Sequence, residues 1–263
     1  MATYALAGAP SLSGVLPVNG IATPGPHPRP VPGPLPAERI LPVPSVLAGL
    51  FPGGGLPKGG TVLLGPLQTQ ERPFGSGPGA PGSAQPSRAS GLTSLLALLL
   101  AGTSSQGHWC AVVGLPELGL VAAAELGVDL DRLVLVPRPG SEGRWQSVVT
   151  TLLETVDLVC LAPDSPVRPA DARRLYARAR ERRSTLVVFD PASPFGAARG
   201  LNGGPVRVGR WPGPSDLRCG VTESAWSGLG NGYGLLSLRL LEAEVGGRGE
   251  ASRPRRGRLR LPA

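Results

Sequence analysis

Aromatic side chains are scarce in this chain: Phe, Tyr and Trp together make up 4% of its 263 residues. Histidine is scarcer still, with two residues, His27 in a proline-rich stretch and His108 at the start of an apolar run. Neither neighbours a nucleophile in a motif of acid–base or nucleophilic catalysis, and no cluster has zinc-ligand spacing, so no metal site is expected. The three cysteines, Cys110, Cys160 and Cys219, stand far apart in apolar runs. An odd count without paired spacing argues against a disulfide framework and predicts core residues in a reducing compartment. The longest apolar run, around residues 92–101, falls well short of the ~20 residues that cross a bilayer. The N-terminus has no basic segment followed by a long apolar one, so no signal peptide is expected. These absences predict a cytoplasmic protein, compatible with association with the nucleoid and without a membrane partner.

Glycine and proline, by contrast, are abundant, with 39 and 31 residues, over a quarter of the chain. They concentrate in a few stretches, as expected of tails and loops around a folded core rather than of overall disorder. The apolar share of 41% is enough for one α/β core or two small domains. The formal charge is +8, and most of the basic residues are arginine. That balance suits nucleic acid or another anionic partner. It equally suits high-GC coding, which raises Ala, Gly, Pro and Arg together.

Taken in order, residues 1–38 read as a Pro/Gly-rich flexible tail. A core domain is expected over residues 39–246, followed by a basic tail over 247–263. Within the core, Thr61–Leu64 suits a buried strand and Leu92–Ala101 a buried helix. Between them, residues 66–90 are full of Gly, Pro and Ser and read as a surface insert. His108–Gly114 is a second predicted strand. Pro116 is placed in the first turn of a helix over Glu117–Leu126, and Leu133–Val136 is a third strand. Trp145, Val148, Val149, Leu152, Leu153 and Val156 recur at helical spacing. Asp157–Ala162 is a fourth strand. A helix opened by Pro169 carries Ala172, Leu175, Tyr176 and Ala179 on one face and arginines 173–183 on the other. Thr185–Asp190 is a fifth strand. Strands alternating with helices predict a mostly parallel sheet with helices on both faces. After a loop at 191–204, strands at 206–211, 217–226 and 235–245 predict an antiparallel extension.

A strand, a glycine turn, and a helix opening with Gly-x-Thr-Ser have the layout of a phosphate-binding loop. The functional pattern G-x-x-x-x-G-K-[ST] is broken twice. Leu92 stands at the lysine position, and the insert separates Gly65 from Gly91. Gly65, Gly91, Thr93 and Ser94 are the candidate nucleotide-binding residues, with the two hydroxyls read first as first-turn residues of a helix. Glu117, after the second strand, is a favourable charge near a helix start. At the end of the fourth strand, where an ATPase built on such a loop would need a magnesium-binding aspartate, stands Ala162. Asp164 nearby is a substitute or a turn former.

The order of these pieces resembles the RecA recombinase family over roughly residues 39–245. GGGLPKGGTVLLGP is similar to that family's lead-in to the phosphate loop, CAVVGLPE to the strand ending near its catalytic glutamate, which by resemblance makes Glu117 the candidate catalytic carboxylate, and AAELGVDLDRLVLVPRP to its LGVD segment. More narrowly, the chain resembles the shortened ImuA-like proteins of high-GC actinobacteria, which accompany translesion polymerases. The resemblance implies a RecA-like (P-loop NTPase-type) α/β fold in an accessory protein of DNA repair, the SOS response to DNA damage and translesion synthesis. With the lysine and strand-end aspartate missing, it implies a pseudo-ATPase acting as an adaptor for a translesion polymerase or polymerase-like accessory protein, and for single-stranded DNA. No cofactor is expected, and ATP with Mg2+ enters only if the degenerate site still works. Arg199, in the place of the family's DNA-binding loop, and Arg253, Arg255, Arg256, Arg258 and Arg260 are the candidate DNA or partner contacts. Two alternatives stay open: a DNA-dependent ATPase with a remodelled nucleotide site, and a RecA-like regulator of another protein such as a cell-division factor.

Overall fold

Alternating apolar side chains divide the core into two layers on either side of one sheet. In the strand Leu158–Leu161, Leu158 and Cys160 join one buried cluster while Val159 and Leu161 join the other. Such strands are covered on both faces, which is why they read as continuous apolar runs. The computed structural model describes residues 39–65, 91–140, 144–190, 211–229 and 234–262. The described residues all belong to one compact unit.

In chain order the strands are β1 (Ile40–Pro42), β2 (Gly55–Pro57), β3 (Thr61–Leu64), β4 (Cys110–Val113), β5 (Leu133–Val136), β6 (Leu158–Leu161), β7 (Thr185–Phe189), β8 (Leu217–Leu229), β9 (Gly234–Gly247) and β10 (Arg255–Pro262). The helices are α1 (Ser45–Ala48), α2 (Leu92–Ser104), α3 (Leu120–Glu125), α4 (Arg144–Thr155) and α5 (Pro169–Arg182). β1 and β2 form a small antiparallel pair. The main sheet has eight strands in the order β10-β9-β8-β3-β7-β6-β4-β5. From β8 to β5 all neighbours are parallel, and β8, β9 and β10 run antiparallel. Helices α2 and α3 pack on one face with α1 and β1, and α4 and α5 on the other. This is the expected architecture: a mostly parallel α/β sheet with an antiparallel C-terminal extension.

Helix α2 is apolar on all sides and correspondingly buried along its length, from Leu95 to Ala101. It lies so close to the segment before α1 that a Cβ on Gly102 would sit 2.5 Å from the Val43 Cα. The Thr103 hydroxyl bonds the Leu99 and Pro42 carbonyls. Trp145, Val149 and Leu153 of α4, and Ala172, Leu175 and Ala179 of α5, are buried as their spacing predicts. All three cysteines are buried thiols rather than bridges, and burial pushes the Cys219 thiol up to about 12.

Two expectations are corrected. The helix placed at Glu117–Leu126 is shorter, Leu120–Glu125. Pro116 and Glu117 lie instead in a turn in which the Leu118 N–H bonds the Leu115 carbonyl. Gly119, a poor helix residue, is extended and precedes the first turn. The basic tail placed at 247–263 carries the sheet's edge strand: Arg255–Pro262 pairs with β9 from Arg255↔Val245 to Pro262↔Leu238. That strand makes up eight residues of the segment, and its reason is a period-two pattern hidden among arginines, in which Leu259 and Leu261 are buried in the core cluster. The predicted tail 1–38, the insert 66–90, the loop 191–204 and most of the strand at 206–211 lie outside the described residues. Among the described residues, no helix is long and apolar enough to cross a membrane.

Candidate functional site

In a parallel sheet, ligands bind at the carboxyl ends of the strands. Here that edge is made by Gly65 after β3, Asp190 after β7, Ala162 after β6 and Gly114 after β4, with the start of α2 behind β3. Gly65 donates its N–H to the Cys219 carbonyl at 3.1 Å. A Cβ on it would sit 2.7 Å from the Asp190 carbonyl oxygen, so this close approach requires glycine. Gly91 precedes α2 with φ of 114°, in the left-handed region, and its own Cβ would meet the Leu241 side chain at 2.6 Å.

Gly65 follows β3, and Gly91, Thr93 and Ser94 open α2, the two element ends that a phosphate loop would connect. The residues after Gly91 depart from such a loop. Leu92 is 2% exposed and belongs to the core cluster. Thr93 is exposed, and Ser94 is half-buried. Lys58, the chain's one lysine, precedes β3, whereas Gly65 comes after it. The four residues of β3 hold the two ends roughly 13 Å apart.

The first turn of α2 is occupied by a different cation. Arg239, from β9, donates from Nη1 to the Ser94 Oγ at 2.9 Å and from Nε to the Ser224 Oγ at 3.2 Å. Its guanidinium lies over the Trp226 ring, 4.6 Å from the centroid. Burial pushes its pKa down, because desolvation disfavours the charged form. Arg239 was not among the sequence candidates. The alternation of LSLRLLEAEV places it on the same face as the buried Leu241, a signal that identifies the face but not its neighbour.

Ala162 is 8% exposed, and its N–H bonds the Val113 carbonyl at 2.8 Å. A Cβ on Gly114 would come within 2.1 Å of the Ala162 oxygen, so the ends of β4 and β6 are closed on each other. Asp164 is exposed beyond this point, and Glu117 is exposed in the turn after β4. Asp190 is an acidic group that was not among the sequence candidates. Its N–H bonds the Leu64 carbonyl at 2.8 Å, and it is half-buried beside Gly65. An acid ending the apolar run TLVVF is the signal that marks it.

ATP with Mg2+ is the group that this frame implies, and the residues present do not fit it. A buried leucine replaces the phosphate-binding cation, and an alanine side chain offers no oxygen to a metal. The Leu241 side chain and the Arg239 guanidinium fill the space in front of Gly91. Among the described residues, no group of three His, Cys, Asp or Glu is placed to hold a metal. A separate polar groove of about 380 Å3, lined by Gln146, Thr150, Asp171 and Arg174 among others, lies between α4 and α5 and not at the carboxyl edge.

Of the candidate contact arginines, Arg199 lies outside the described residues. Arg253 is exposed ahead of β10. Arg255 donates to the Phe51 carbonyl at 3.3 Å. Arg256 is paired with Glu244 on β9, while Arg258 and Arg260 are exposed on the same face as Arg256.

A family model described as the MT3502 N-terminal domain matches residues 78–194, under half of the chain. Among curated proteins, the chain is 41% identical over 102 residues to the uncharacterized protein Rv3395c of Mycobacterium tuberculosis. That match covers 38% of this chain and 49% of the relative, so the chain spans about half the length of the curated relative it matches. Among solved structures, the chain is similar to the RadB recombinase, with a TM-score of 0.46 and 18% identity over 82% of this chain and 93% of that one.

Proposed function

We propose that this chain is a RecA-like accessory protein of DNA repair and translesion synthesis that does not turn over nucleotide and serves as an adaptor. Its partner is a translesion polymerase or a polymerase-like accessory protein, with single-stranded DNA as a second ligand, and its place of action is the cytoplasm and nucleoid. The observation that carries this reading is Leu92. A leucine sealed in the core at the lysine position is committed to folding and is lost to phosphate chemistry. Ala162 at the end of β6 is a second loss around the same inferred site. The RecA-like core then persists as a scaffold.

The test is nucleotide binding by the full chain, with and without magnesium and with and without single-stranded DNA. No saturable binding and no turnover is the expected result. Micromolar binding with turnover abolished by Glu117→Gln would replace the adaptor with an enzyme. Recovery of partners from cells after DNA damage tests the other half: absence of any polymerase component removes the adaptor.

A second reading, a DNA-dependent ATPase with a remodelled site, is favoured by one observation, the Arg239 guanidinium at Ser94. It predicts nucleotide binding that Arg239→Ala abolishes.

A further inference from the structure

The main sheet ends at β10, and among the described residues no strand pairs with its outer side. Exposed strand edges carry unsatisfied N–H and C=O groups and accept another strand readily. β10 has two distinct faces. Leu259 and Leu261 are buried, and a Cβ on Gly257 would touch the Leu50 side chain at 2.9 Å. Arg256, Arg258 and Arg260 alternate with them and point the other way, spaced roughly 6.8 Å apart along the strand. On β9 their register partners are Glu244, Glu242 and Leu240. Arg256 is held by Glu244, whereas Arg260 stands opposite a leucine. The approach to β10 adds Arg248 and Arg253 against Glu250.

We propose that β10 is the docking edge for an extended, acidic segment of a partner protein, which adds to the sheet as a further strand. Carboxylates at every second residue of such a segment face the arginine row in register, since both repeat along the strand with the same period. A second copy of this chain does not fit, because pairing β10 with β10 sets two arginine rows against each other. Single-stranded nucleic acid fits less well. β10 has no aromatic side chain on which bases could stack, and a phosphate backbone leaves the peptide groups of the edge unpaired. The inference gives the adaptor reading its contact surface and rests on that reading for its purpose, while its geometry is independent of it.

The experiment uses the full chain and a fluorescein-labelled peptide alternating glutamate and valine over the length of β10. Three further probes are the same peptide with lysine for glutamate, with a central proline, and oligo-dT. Fluorescence anisotropy is expected to show saturable binding of the glutamate peptide alone. The double variant Arg258→Glu/Arg260→Glu is expected to lose roughly tenfold in affinity for it, the scale of two opposite-charge cross-strand pairs, and to gain the lysine peptide. Unchanged affinity in that variant, equal binding of the proline peptide, preference for oligo-dT, or no binding at all would overturn the proposal. The comparison of glutamate and lysine peptides on the unmodified chain decides the matter even if the variant does not fold. Partner recovery separates the two ideas. A polymerase component captured equally well by the double variant retains the adaptor and overturns the edge. Peptide binding that tracks the charges, without any polymerase component recovered, retains the edge and removes the adaptor.

Discussion

Arg239 donates to Ser94 across 2.9 Å and so ties β9 to the first turn of α2. A cation at a helix N-terminus opposes the helix dipole. The tie is held by the two serine hydroxyls and the Trp226 ring, which offset that cost. Arg239→Ala is expected to destabilise the fold by about 1–2 kcal/mol through the loss of two hydrogen bonds and a stacked contact. Chemical denaturation of the variant beside Ser94→Ala and the double mutant checks it. Additive losses would show that the two residues do not interact.

Leu92→Lys restores the side chain that the loop pattern asks for. Because residue 92 is sealed in the core, the ammonium would be buried without a partner. The expected outcome is a loss of at least about 2–4 kcal/mol and no gain of ATP hydrolysis. A stable Leu92→Lys protein that binds nucleotide would show that the loop can open.

Truncation before β10 discriminates a strand from a tail. Removing residues 255–263 exposes β9 and deletes the buried Leu259 and Leu261. Leu259→Ala alone is expected to cost about 2–4 kcal/mol. Thermal melting of both forms checks this, and an unchanged melting temperature would restore the tail.

Asp157 is expected to contribute to the loss of stability in acid. Burial raises its pKa, but the hydrogen bond and charge of His108, the Trp109 N–H and the charge of Lys58 outweigh burial and hold the carboxyl below its ordinary value. A depressed carboxylate pKa stabilises the fold above the unfolded value of about 3.9, and that contribution fades as the pH falls through the folded value. Denaturation midpoints measured across the acid range should therefore drop less steeply for Asp157→Asn than for the unmodified chain. The variant should be the less stable of the two at neutral pH.

Much of the fold was legible because burial on two sides writes itself into sequence. The runs TVLL, LVLV and TLVVF became strands at or within a residue of their expected bounds, and the spacing from Trp145 to Leu153 became α4. The edge strand was missed for the complementary reason. Half of β10 faces water, so its arginines dominated the composition and masked the alternation of Leu259 and Leu261. The false start of α3 shows a second limit: Pro116 permits a helix start, but Gly119 and the Leu115–Leu118 turn delay it.

Residue identity and local period were enough to read the alternation of strands and helices, the buried leucine at residue 92, the alanine at residue 162 and the place of Lys58 ahead of β3. The ordering of the strands was needed to show that Leu241 and Arg239 crowd Gly91, and that Arg239 reaches Ser94 over a separation of 145 residues. Local periodicity specifies which face a side chain takes, whereas its partner depends on how strands distant in sequence are ordered in the sheet.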